Sequence, residues 1–156
     1  MTAGNLVGMV SVFFAGLLAG EEFVIRYGVR GPLASLEDGP HILFRQALIR
    51  QLRILVPSIY LAALLSAGVA TAFDGFDSGL VLRCAGIVAL VIWIAITLAG
   101  TVPINAAALE WNASSPPSAW RIQVDRWERL NTLRAWAAVA AFTLLLIGLT
   151  VTATSH

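Results

Sequence analysis

The groups of this chain that could act on a guest molecule gather between Thr101 and Arg134. Thr101, Val102, Pro103, Ile104 and Asn105 close one long apolar stretch, and Arg126, Trp127, Asn131 and Arg134 open the next. Amide, guanidinium and indole groups so near lipid-compatible sequence are costly unless something compensates them, so the cluster reads as the mouth of a site. Thr97, Thr101 and Asn105 recur at intervals of four, which makes one polar stripe on a helix. Threonine hydroxyls can bond their own helix carbonyls. A carboxamide is not satisfied that way, so Asn105 is expected to face a ligand, with capping of backbone freed by Pro103 as the alternative. Trp120, Val124, Trp127, Asn131 and Arg134 follow at steps of four, three, four and three, a second stripe that turns from apolar to polar. Arg134 precedes a charge-free run and needs a partner at membrane depth, for which Glu22 and Glu110 are the candidates. Glu22, four residues before Arg26, either meets an arginine or faces a wet cavity. Arg45, Arg50 and Arg53 suit headgroup contact by snorkelling, and Arg45, beside Gln46, has the option of turning inward.

The elements that must position these groups follow from composition. Hydrophobic residues make up 58% of the chain and charged ones only 12%, where a soluble domain carries about a quarter. Apolar windows at 2–20, 54–73, 84–109 and 135–155 are each long enough to cross a bilayer core of about 30 Å. The fold class is therefore all-α: a single domain of four transmembrane helices, at about 5–27, 41–73, 80–107 and 119–152, with an interfacial extension before the fourth. Gly28, Gly31 and Pro32 are expected to break the first helix. Asp38 is read as the cap of the second, with Pro40 in its first turn. Pro57 should bend that helix and free a carbonyl for Ser58 or Tyr60. Gly4 and Gly8, Gly16 and Gly20, and Ala15 and Ala19 have small-xxx-small spacing, which suits packing within the bundle or, alternatively, a seam in a homo-oligomer. The first window lacks the positive start of a cleaved signal and reads as a retained helix.

All ten basic residues are arginine, and only Arg83 falls where helix two turns into helix three. The positive-inside rule then places the arginine-rich loops in the cytoplasm and both termini outside. Lys-free, Ala- and Arg-rich usage points to a bacterial inner membrane. A net charge of +1 argues against a nucleic-acid partner; the expected partners are membrane lipids and a small hydrophobic molecule. The lone Cys84 and the two histidines, His41 and His156, offer too few ligands for a usual haem or copper site, so no metal is expected.

The run Thr101–Asn105, Pro116 and Pro117, Arg126 and Trp127, Asn131 and Arg134 resembles the anthrone oxygenase-like family of small four-helix membrane proteins, with Gly31, Pro32 and Leu33 a weaker echo. The resemblance implies oxidation of a phenolic, anthrone-like aromatic of the polyketide type by O2, with no cofactor. For that chemistry Arg134, Asn131 and Asn105 suit donation to the enolate oxygen, and Glu22 is the candidate general base. Substrate binding falls to Trp127, Arg126, Thr101 and Arg45. The base and donor roles conflict if Glu22 and Arg134 touch. A non-enzymatic small-molecule binder or accessory subunit is the competing reading, and a transporter without inverted repeats a weaker one.

Overall fold

The computed structural model describes residues 3–154; Thr2, Ser155 and His156, on which parts of the sequence reading fell, lie outside them. Four helices long and apolar enough to cross a membrane follow one another: α1 Ala3–Ala34, α2 Asp38–Asp74, α3 Leu80–Leu109 and α4 Trp120–Thr154. No strand occurs among the described residues. At most 33% of the apolar window of any helix is buried inside the bundle. The remaining Leu, Val, Ile and Phe side chains, such as Phe13, Leu65, Val88 and Leu98, face outward. Exposed apolar surface on that scale suits hydrocarbon, not water.

Consecutive helices run antiparallel. Gly4 at the start of α1 lies beside Asp74 at the end of α2, and Thr152 near the end of α4 bonds Asp77 in the short α2–α3 turn. That end carries Arg83 alone; the other nine arginines lie in the opposite half. The helices pack extensively as α1–α2, α1–α4 and α3–α4, whereas the α2–α3 seam is looser. Small residues set the spacing. Ala15, Ala63, Ala67, Ala138 and Ala141 are almost fully buried around Leu18, Leu90 and Trp93. Gly8 and Gly16 of α1 face Leu149 and Phe142 of α4, so this flank packs inside the bundle. On α4 the buried positions from Trp120 through Val124, Asn131, Arg134, Ala138, Ala141, Leu145 and Gly148 to Thr152 keep steps of three and four, with half-buried Trp127 between Val124 and Asn131, so one face of the helix packs inward along its length.

Several helix ends differ from the expectation. Gly28, Gly31 and Pro32 do not end α1: Ile25–Val29 widens into a π turn, and the chain continues as α-helix over Arg30–Ala34. Pro103 likewise does not end α3, because a π turn at Thr97–Thr101 precedes it and leaves the proline in the first turn of Val102–Leu109. A proline costs little in a first turn, where its missing N–H has no partner to lose. Glu37, not Asp38, is the N-cap of α2, and it makes no side-chain cap bond. Pro57 sits inside the continuous α2; Ser58 donates to Ile54 O at 2.8 Å and so does not serve the carbonyl of Arg53 that the proline frees. The extension before helix four is the first turns of α4 itself. A second apolar cluster of Ile42, Ala108, Trp111, Trp120 and Val124 ties this end together. Gln46 holds the end of α3 there, its Nε2 donating to Ala108 O and Trp111 O, each at 2.9 Å.

Candidate functional site

All four helices wall a cavity of about 460 Å³ in the arginine-rich half, within the volume range of small-molecule sites. Glu21, Ile25 and Val29 come from α1, Arg45, Leu52, Val56 and Pro57 from α2. From α3 come Trp93, Thr97, Leu98, Thr101 and Asn105, and from α4 Trp127, Glu128, Asn131 and Arg134. Both π turns contribute wall residues. Such turns recur at functional sites because the extra residue re-aims the side chains beyond it. Pro57, Leu98 and Val102 are outward-exposed wall residues on either side of the looser α2–α3 seam, so the cavity meets the lipid-facing surface there.

One pole of the cavity is a buried ion pair. Arg134 Nη2 contacts Glu22 Oε1, and Arg134 Nη1 donates to Thr101 Oγ1 at 3.2 Å. Trp93 Nε1 donates to the same Glu22 oxygen at 3.0 Å. The Arg134 guanidinium lies 4.6 Å from the centroid of the Trp93 ring, which stacks on Tyr60 at 5.0 Å. Thr97 and Thr101 donate to the helix carbonyls of Trp93 and Thr97, at 2.8 and 3.2 Å. Removing one partner of such a pair strands the other charge, a loss of about 3–5 kcal/mol.

The other pole is arginine on indole. The Arg45 guanidinium lies 4.7 Å from the Trp127 ring centroid and 3.7 Å from Glu128 Oε1. The second oxygen of Glu128 is held more closely by Arg30 Nε, at 2.7 Å. Buried polar atoms are normally hydrogen-bonded. Around this cavity Glu21 Oε2, Arg45 Nε and Nη2, Asn105 Oδ1, Trp127 Nε1 and Arg134 Nε are buried without a hydrogen bond.

The structure thus brings Arg45, Thr101, Asn105, Trp127, Asn131 and Arg134 to one cavity. It leaves two of the expected site residues off the wall. Arg126 is exposed, because one residue from Trp127 is a rotation of about 100° on the helix. Glu22 pairs with Arg134 and not with Arg26, and it stands behind Arg134 while its neighbour Glu21 reaches the wall. Glu110 is exposed and takes no part. Trp93, Glu21 and Glu128 were missed. Trp93 extends the Thr97–Thr101–Asn105 stripe by one more step of four, and Glu21, Ile25 and Val29 keep the same step on α1. Glu128 stands four residues after Val124 and three before Asn131, at the edge of the α4 stripe.

The arrangement can hold a flat apolar body between aliphatic and indole walls, with guanidinium and carboxamide groups for its oxygens and a carboxylate for a proton. Among the described residues no group of three or more His, Cys, Asp or Glu side chains is placed to hold a metal ion. No curated protein and no solved structure gives a match to the chain. A family model described as Anthrone oxygenase matches residues 44–144, which takes in Arg45, Thr101, Asn105, Trp127, Asn131 and Arg134 but neither Glu21 nor Glu22. That match covers well over half of the sequence, and the chain belongs to the anthrone oxygenase family.

Proposed function

We propose that the protein is a membrane-embedded oxygenase that converts the activated methylene of a hydrophobic phenolic, anthrone-like substrate to a carbonyl, using O2 and no cofactor. The observation that carries this reading is the cavity itself. Six buried polar atoms without hydrogen bonds surround one largely apolar space, and a guest with oxygen functions would compensate them. A base removes a proton from the methylene, and the ring oxygen takes up the charge as an enolate. The enolate gives one electron to O2, the resulting radical and superoxide combine, and a proton completes the hydroperoxide. Loss of water then leaves the carbonyl, so one O2 is consumed and one water released per methylene. The ring system supplies the electrons; the protein supplies position, proton handling and stabilisation of the oxyanion.

Arg134, Asn131 and Asn105 serve as donors toward the enolate oxygen, where a single oriented donor is worth about 3–4 kcal/mol. Trp127 offers a face for the rings. Glu21 is the base in this assignment. Glu22, the residue first expected there, already has Trp93 and Arg134 on its Oε1 and lies off the cavity wall. The Glu21 Oε2 is buried without a hydrogen bond beside the cavity. The arginine-rich end then faces the cytoplasm, and substrate enters from the inner leaflet between α2 and α3.

The test is oxygen uptake by the purified chain with a phenolic anthrone. Uptake should fall sharply in Asn105→Ala and Glu21→Gln while both remain folded. Tight binding of the anthrone without uptake by the wild-type chain would sink the oxygenase reading. The Glu22–Arg134 pair favours the runner-up in that event, a binder or accessory subunit whose polar core fixes the bundle.

A further inference from the structure

We infer that Arg45 is an anchor for an anionic group on the guest, so that the cavity takes an aromatic acid carrying a carboxylate at one end of a flat apolar body. This deepens the reading of the same cavity as an aromatic site. Arg45 is 4% exposed, yet its Nε and Nη2 make no hydrogen bond. A buried guanidinium with idle donors is costly unless something anionic or strongly accepting meets it. The nearest acid does not fully do so: Glu128 stands at 3.7 Å from Arg45 and is engaged at 2.7 Å by Arg30.

The balance of charge around the cavity points the same way. Four arginines and two glutamates line it. Arg134 is matched from behind by Glu22 and Arg30 by Glu128. Arg45 and Arg53 remain against Glu21 alone, and Arg53 is outward-exposed. Of the arginines lining the cavity, the buried one with the weakest compensation is therefore Arg45, whose acid stands at 3.7 Å and is shared with Arg30. Its planar fork suits a carboxylate better than a lone hydroxyl, because two N–H groups can meet two oxygens.

Position sets the rest of the guest. The Arg45 guanidinium lies over Trp127, and Trp127 and Arg134 are two helical turns apart, about 10 Å along the axis. A rigid fused-ring body with its acid at Arg45 thus reaches the Arg134 end with its far oxygen. The Trp127 indole lies beside it with its Nε1 unbonded.

The experiment compares anthracene-2-carboxylate with its methyl ester, two fluorescent probes of nearly equal shape, binding to the full chain in neutral detergent. The acid should bind at least about tenfold more tightly than the ester, as charge-assisted hydrogen bonds in a buried site imply. Arg45→Gln should erase that preference and leave ester binding in place, while Arg45→Lys keeps part of it. Glu128→Gln, which removes the competing carboxylate, should strengthen acid binding. Equal binding of acid and ester by the wild-type chain would overturn the proposal, as would a preference that survives Arg45→Gln. An anionic phospholipid that co-purifies with wild-type but not Arg45→Gln protein and displaces the acid would also overturn it, since the lipid phosphate would then be the occupant. None of these readings requires turnover, so an inactive chain that still prefers the acid refutes the oxygenase assignment alone.

Discussion

Arg83 and Arg134 are both arginines buried on apolar helices, at opposite ends of one bundle, and their surroundings differ in kind. Arg83 is wrapped by its own end of the protein. Its Nη1 donates to Thr152 Oγ1 at 2.6 Å and Asp77 Oδ2 at 3.1 Å, and its Nη2 to Asp77 Oδ1 at 2.7 Å. Asp74 adds an ion pair at 3.5 Å, and only the Nε is without a hydrogen bond. The backbone closes tightly around it: Gly75 takes φ +61, and a Cβ on Gly79 would stand 2.6 Å from the Gly148 carbonyl oxygen. Arg134 has one acid behind it and a cavity in front. The first cluster is a clasp that closes three helices. The second borders a cavity that, under the proposed function, is left for a guest. A buried charge alone therefore does not mark a candidate site: both arginines leave only their Nε unbonded, and what sets Arg134 apart is the cavity beside it.

The comparison can be broken by mutation. The largest effect expected is on stability, from Arg83→Ala. It strands Asp74 and Asp77 and should destabilise the chain by about 3–5 kcal/mol, read by denaturant unfolding in detergent micelles, with oxygen uptake per folded molecule unchanged. Equal loss of uptake would join the two ends functionally and break the contrast. Asn105→Ala is the reverse case. Removing one oriented donor should lower uptake about 100-fold with unfolding little altered, because Asn105 Oδ1 has no protein partner to lose. Trp93→Phe should fall between the two. It removes one hydrogen bond to the Glu22 carboxylate, a loss of about 1.5–3 kcal/mol, seen in both unfolding and turnover.

The smallest effect is a pH dependence at the Arg83 end. Hydrogen bonds from Arg83 above all, then from Thr152, hold the Asp77 carboxyl down to about 2, from an ordinary 3.8. A carboxyl depressed in the folded state binds its proton more readily when unfolded. Its contribution is therefore complete above about pH 4 and fades as the pH falls toward 2. Asp77→Asn should flatten that acid limb of the unfolding curve, and an unchanged limb would show that Asp77 is not what closes the clasp.

Sequence patterning carried the site a long way, and the reason is geometric. Residues at steps of three and four share a helix face whatever the helix packs against. The stripes Thr97–Thr101–Asn105 and Trp127–Asn131–Arg134 could therefore be read before any neighbour was known, and both line the cavity. That Arg134 needs an acid was legible because an unpaired charge at that depth is untenable, but the sequence left Glu22 and Glu110 as alternatives, and the fold supplies Glu22. Choosing between Glu21 and Glu22 was not open to the same reasoning. Adjacent residues differ by about 100° around the helix, and only the packing of α3 and α4 decides which of the two meets Arg134. Prolines misled for a related reason: a π turn, which has no strong signature of its own, lets Pro32 and Pro103 sit in continuing helices.

Composition and periodicity by themselves determined four apolar helices, their antiparallel order and the clustering of arginine at one end, because those depend on burial in lipid and on helical repeat alone. Which arginine is clasped and which is left facing a cavity was decided only by tertiary structure. That choice rests on side chains far apart in sequence, Glu22 with Arg134 and Asp77 with Thr152, and no local pattern records which distant partner completes a charge.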